Sequence, residues 1–365
     1  MKRTLNPAAP LLALAMLSLL AALWAGLIRM GWSWPPLRPL LPMAHGPLMV
    51  GGFLGTLISL ERAVGLGAIH KGPRWPFFLA PLAAGLGSAL LLVGVGGLAG
   101  PLLVTVGSLG LAASMARIYR LQPAFYSAVL LAGAMVFLFG NLLWLGGRAV
   151  AEVVLWWQVF VVLTIAGERL ELSRLLRPSR RVQAAFVLIT LALLAACLLS
   201  LFSLGAGVRL AGLGMVALAV WLLGFDIAWR RLRAGGQARF IALALIAGYI
   251  WLAVGGLLML RFGGMTAGLQ YDAMLHAVFV GFVFSMIFGH ALIIFPAVLG
   301  RPLVYRPLFY LPLALLHLSL ALRIVGDLAL QMTVRRWGGI LNATAILVFM
   351  ALVVASVVRG GTKER

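Results

Sequence analysis

The sequence predicts an all-α membrane protein, a polytopic bundle of about twelve transmembrane helices. Three observations predict it. Of 365 residues, 63% are hydrophobic and 10% charged, whereas soluble domains carry about 25% charged residues. The apolar residues fall into runs of about twenty, the length that crosses the hydrocarbon core. Lys and Arg collect in alternate joins between those runs.

The runs lie at 10–30, 45–69, 75–99, 101–120, 123–147, 152–173, 182–202, 206–228, 239–261, 272–298, 305–325 and 337–358. Pro, Gly and Arg punctuate the joins, as helix ends require. The first run follows Lys2 and Arg3 and resembles a signal peptide. Its apolar part of about twenty residues exceeds a typical signal core, so it reads as a retained first span. Between spans 3 and 4 the only break is Gly100-Pro101. No soluble domain, long linker or internal repeat stands out, and 1–365 reads as one integral membrane domain.

Orientation follows from the basic residues. With the N-terminus inside, twenty Lys and Arg face the cytoplasm, eight face outward and Arg62 lies within a span. The bias puts both termini in the cytoplasm and the chain in the inner (cytoplasmic) membrane. The net charge of +21 would suggest nucleic acid on a soluble chain. Here the charges sit between apolar runs, so they set topology and meet anionic lipid heads. The expected partner is the lipid bilayer, not nucleic acid. The single cysteine, Cys197, excludes an intrachain disulfide and a cysteine-rich metal site.

Ionisable groups inside a membrane are functional candidates. His45 opens span 2 and His276 lies in the first turns of span 10. Both spans run inward, so the two imidazoles share one depth near the outer surface. Neutral imidazoles on facing helices can ligate a heme iron from both sides; the plainer alternative is a pair of hydrogen-bonded interfacial histidines. Gly52, Thr56 and Ser59 fall within about 40° of the His45 direction, a stripe that admits a flat macrocycle or a close helix. His290 follows His276 by fourteen residues, about 40° away on the same face and roughly 21 Å along the axis.

Glu61 and Arg62 lie near the depth of His290. They form an inner polar cluster for a second cofactor or a proton relay, or else a self-neutralising pair whose arginine reaches to the interface. His70 reads as interfacial, and His317 as hydrogen-bonded to a neighbouring helix. Glu168, Arg169, Glu171 and Arg174 read as surface ion pairs, as does Asp226 beside Arg230 and Arg231. Asn141 reads as helix–helix glue, Gly51 and Gly55 as a close-packing pair, and Trp144, Trp156 and Trp157 as an outer aromatic belt.

Twelve spans with both ends inside, and histidines opening spans 2 and 10 in Ala44-His45-Gly46-Pro47 and Leu275-His276-Ala277, resemble subunit I of the heme–copper oxidases. The chain is more similar to their smaller non-catalytic relatives of the NnrS type, which are linked to nitric oxide and denitrification. The resemblance implies a heme b held by His45 and His276, with His290 available to a second site. It departs from the oxidases in the copper ligands: spans 6 and 7 hold no histidine and span 10 has no His-x-His. Copper and a terminal-oxidase reaction are therefore not expected, and no catalytic residue is assigned.

The expected function is that of a heme-b-binding membrane protein of respiratory or nitric-oxide metabolism, as sensor, tolerance factor or electron carrier with a membrane redox partner. A secondary transporter or an assembly subunit of a membrane complex is the alternative. Transporters carry repeats and broken midplane helices, whereas the polar groups here lie near the two surfaces.

Overall fold

In a medium without water, each backbone N–H and C=O must find its partner inside the protein, and a continuous helix achieves this within one segment. The computed structural model describes residues 7–176, 178–301 and 303–362. Among the described residues it contains helices and turns and no strand. Twelve helices are long and apolar enough to cross a membrane. Spans 1 to 4 are Ala8–Arg29, Leu41–Ile69, Trp75–Val93 and Ala99–Leu121. Spans 5 to 8 are Phe125–Leu145, Val150–Ser173, Arg180–Ser200 and Leu204–Phe225. Spans 9 to 12 are Gly236–Phe262, Leu269–Leu299, Pro307–Leu328 and Met332–Arg359.

The break between spans 3 and 4 falls earlier than Gly100-Pro101. Span 3 stops at Gly94 (φ 79°), and Gly97 (φ 77°) is also left-handed. Glycine takes this conformation without a Cβ penalty and so ends helices. Pro101 instead sits in the first turn of span 4, where a missing N–H has no consequence.

Spans 2, 6 and 10 are far more buried than the rest. In their most apolar stretches 72%, 83% and 67% of residues are buried, against at most 50% in the other nine. Burial thus recurs every fourth span, a period the sequence did not reveal. Spans 2 and 10 share a second irregularity. Each contains a π-helical stretch, Leu48–Leu54 and Ala277–Phe284, that begins within three residues of its histidine. Span 2 also opens with a 3-10 turn, Leu41–Ala44. Pro47, which has no N–H to donate, stands where its α-helical turn passes into the π stretch.

The chain divides into two compact units, Met1–Phe160 with Ala297–Gly300, and Val161–Pro296 with Arg301–Arg365. In the first, glycines of span 2 receive side chains from four neighbours. A Cβ at Gly52 would lie 2.7 Å from Ser88 Oγ and 2.9 Å from Ser18 Cβ. One at Gly51 would lie 2.8 Å from Val104, and one at Gly55 3.0 Å from Phe137. The Gly51/Gly55 pair therefore does mark close packing, and Gly52 likewise admits neighbouring helices.

The expected aromatic belt is corrected here. Trp156 and Trp157 are buried, and Trp157 donates its indole N–H to Asn141 Oδ1 at 3.0 Å. Asn141 is thus glue between spans 5 and 6. Buried indoles need such an acceptor, whereas interfacial ones find water.

In the second unit, spans 8 and 9 meet backbone to backbone: a Cβ at Gly212 would lie 2.7 Å from Gly256 O. Span 10 packs on span 9 at Gly255, where a Cβ would meet Val278 at 2.5 Å. Spans 11 and 12 touch at Gly326 and Gly338, the latter facing the Arg323 amide nitrogen at 2.5 Å from a built Cβ.

Gly52→Val should lower the melting temperature of the detergent-purified protein by several degrees, because the methyls collide with spans 1 and 3. Gly65→Val, at a position with open space around it, should change it by a degree or so at most. Equal melting of the two variants would remove the packing role of Gly52.

Candidate functional site

Hydrogen bonds sort the five histidines by tautomer. A carbonyl only accepts, so a ring nitrogen bonded to one must carry the proton. His45 Nδ1 donates to Ala22 O at 2.7 Å, and the ring lies against Gly26, where a Cβ would come within 2.8 Å of it. His276 Nδ1 donates to Asp272 O at 2.9 Å, with Asp272 Oδ1 3.3 Å away. His290 Nδ1 donates to Met286 O at 2.7 Å. In its neutral form each of the three therefore carries its lone pair on Nε2. This is the arrangement found in metal-binding histidines, whose other nitrogen is tied to a carbonyl or carboxylate.

His317 has the opposite tautomer. Trp251 Nε1–H donates to its Nδ1 at 3.0 Å. Ser285 spends its own proton on Ala244 O at 2.6 Å, so it accepts from His317 Nε2–H at 3.3 Å. Both nitrogens are consumed in holding spans 9, 10 and 11 together, the glue role expected of this residue. His70 accepts from Arg117 Nη2 at 3.3 Å through Nδ1, so its proton is on Nε2.

The π stretches revise one expectation. A π turn takes one residue more than an α turn, which rotates all that follows by on the order of 100°. His276 and His290 flank such a stretch, so they leave the common face that a straight α-helix would give them. In span 2 the rotation likewise separates His45 from Thr56 and Ser59. Those two hydroxyls are buried and hydrogen-bond to no group among the described residues.

His276 belongs to a larger ionic cluster within its own unit. Arg323 donates from Nε and Nη2 to both oxygens of Asp272 at 2.7–3.0 Å. Arg335 Nη2 lies 3.6 Å from Asp272 Oδ1, and its Nε donates to Asp327 Oδ1 at 2.7 Å. Arg323, Asp327 and Arg335 are buried. Two guanidiniums balance two carboxylates, so the imidazole can remain neutral. Gly326 and Gly338 make the cluster possible, since each faces the backbone of the partner helix's arginine.

Arg323 and Arg335, two of the eight basic residues on the outward side, are buried, and their aspartate partners were not among the expected site residues. The available signal was Arg323 and Asp327 four apart in an otherwise apolar helix, a spacing that puts them on one face.

Asp226 and Arg169 are corrected as well. They are not surface charges: both are buried, and Arg169 Nε and Nη2 each donate to Asp226 at 2.8 Å. Asp226 also accepts from the Ala228 amide at 2.7 Å, closing the end of span 8. The fork of an arginine on a carboxylate satisfies both charges where no water can. Glu61 and Arg62 lie 3.9 Å apart and half-buried in span 2. Among the described residues, no three or more His, Cys, Asp or Glu side chains converge as a multi-ligand metal site would require.

Twelve apolar helices, with neutral imidazoles and buried ion pairs set among them, define a polytopic integral membrane protein in contact with the lipid bilayer. The chain belongs to the family described as a domain of unknown function (DUF8744), which matches residues 8–358, from the first span to the last. No curated protein matches it.

Removing one partner of a buried ion pair leaves an uncompensated charge and costs about 3–5 kcal/mol. Arg323→Met should destabilise the protein by that order in detergent unfolding. Arg148→Met, which breaks an exposed pair with Glu152, should change stability by under about 1 kcal/mol. A small effect of Arg323→Met would show that Asp272 is held by other groups.

Proposed function

We propose that this protein binds heme b in the membrane, with His45 and His276 as iron ligands, and serves respiratory or nitrogen-oxide metabolism. One observation carries the reading: the same device occurs twice. In spans 2 and 10, and in no other span among the described residues, a histidine with its Nδ1–H tied to a carbonyl stands within three residues of the start of a π-helical stretch. π stretches are frequent at functional sites. The donor chemistry suits the group, since an imidazole fixed in the Nε2-base tautomer is the form that ligates heme iron.

Asp272 strengthens the case for His276. A carboxylate beside the ring N–H raises the basicity of the opposite nitrogen and fixes the ring's orientation. His290 has the same tautomer and is the candidate ligand for a second group. Glu61 and Arg62 remain candidates for an inner polar cluster.

Held by His45 and His276, a heme would supply one-electron exchange between ferric and ferrous iron. That chemistry fits an electron carrier, a sensor or a tolerance factor, working with a membrane redox partner at the cytoplasmic membrane.

The purified protein should give a reduced-minus-oxidised spectrum of b type and a stoichiometric pyridine hemochromogen. His45→Ala and His276→Ala should each lose most of that signal while still inserting. His317→Ala and His70→Ala should keep it, because the first is glue and the second sits at the far end of span 2. A colourless, well-folded protein from heme-replete cells would sink the assignment and move a transporter or an assembly subunit to the front.

A further inference from the structure

A second feature stands apart from the histidines of spans 2 and 10. Where span 2 ends and spans 3 and 4 approach it, four cations gather: Lys71 and Arg74 in the loop, Arg117 and Arg120 at the end of span 4. All four are exposed. Among the described residues none of the four forms an ion pair with a carboxylate. Exposed arginines of this kind are ordinarily mobile, but Arg117 is held. Its guanidinium lies over the Phe77 ring, 5.5 Å from the centroid, and Nη2 donates to His70 Nδ1 at 3.3 Å. His70 in turn meets Phe77 edge to face at 5.2 Å. The loop closes over the imidazole at Gly72, where a Cβ would come within 2.8 Å of Nε2.

A guanidinium fixed in this way presents its remaining N–H groups in a set direction and loses little side-chain entropy on binding. It forms no ion pair among the described residues, and three further cations lie on the same loop and helix end. That combination selects an anion with several acceptor oxygens. The rim is apolar: Ile69 is 67% and Trp75 65% exposed, and Leu121 is exposed on span 4. An apolar rim beside a cationic patch matches acyl chains below a phosphate, and Trp is the side chain enriched at that boundary.

We propose that His70, Lys71, Arg74 and Arg117 form a binding site for the phosphodiester headgroup of an anionic phospholipid, with Trp75 and Ile69 against its chains. The site is independent of heme binding. It gives this end of spans 2, 3 and 4 a selected lipid rather than a diffuse attraction.

The test uses the full chain in micelles, with native mass spectrometry after addition of phosphatidylglycerol or phosphatidylcholine. The wild-type protein should retain phosphatidylglycerol over phosphatidylcholine by about tenfold, the order expected where several basic side chains act together at a membrane surface. Arg74→Ala/Arg117→Ala should lose most of that preference. Lys71→Ala/Arg120→Ala removes two charges that make no structural contact, so it should fold normally and lower the preference by a smaller factor. Arg148→Ala, a basic residue outside this cluster, should leave it unchanged. Equal retention of both lipids, or an unchanged preference in both double variants, would overturn the site. If millimolar inorganic phosphate displaces the bound phosphatidylglycerol and raises the melting temperature by itself, the patch is a free-phosphate site and the lipid assignment fails.

Discussion

A carboxylate carried into hydrocarbon without a counter-charge is costly, and much of the second unit is arranged around meeting that requirement at Asp272. Arg323 reaches it from span 11 and Arg335 from span 12, and Asp327 balances the remaining charge. Two arginines can reach one aspartate only if their helices nearly touch, and Gly326 and Gly338 allow that approach. With Asp272 fixed, its backbone carbonyl and carboxylate together hold one nitrogen of His276. The ring orientation at the opening of span 10 is thus set by residues more than forty positions away in sequence.

The twelve spans were legible because a lipid solvent leaves little freedom in length and apolarity. Every expected span coincides with a helix, and most ends agree within a few residues, the end of span 3 and the start of span 12 being the larger departures. The break near Gly100 was misplaced because proline reads as a helix stop, yet is harmless in a first turn. Burial was not legible. Trp156 and Trp157 in span 6 looked like interfacial aromatics by position alone; their burial, and for Trp157 the bond to Asn141, decide otherwise. Arg169 and Asp226, distant in sequence, could not be paired by inspection, since local spacing shows only neighbours on one helix.

The histidines divide in the same way. His45 and His276 stood out by depth, and His317 stood out as glue. Which nitrogen carries the proton depends on a carbonyl from another turn or another span, as with Ala22 for His45. That is tertiary information. It separates His317, whose nitrogens are both committed to span-to-span bonds, from the three whose Nε2 is a base. The buried ion pairs of Arg169, Arg323 and Arg335 and the histidine bonds follow one rule: a charged group or ring N–H that gives up water takes a protein partner.

The π stretches behind His45 and His276 have a consequence for how such a protein changes over evolutionary time. One surplus residue in a helix turns one half of the rod relative to the other while moving it along the axis by only about 1.5 Å. The ends of the span stay at the two membrane surfaces. Everything on the far side of the surplus residue is re-indexed to new neighbours, while the half that carries the histidine keeps its own. Spans 2 and 10 can therefore be tuned at one end without renegotiating the other. A gain or loss of a single residue there acts as a rotary adjustment rather than a lengthening of the helix.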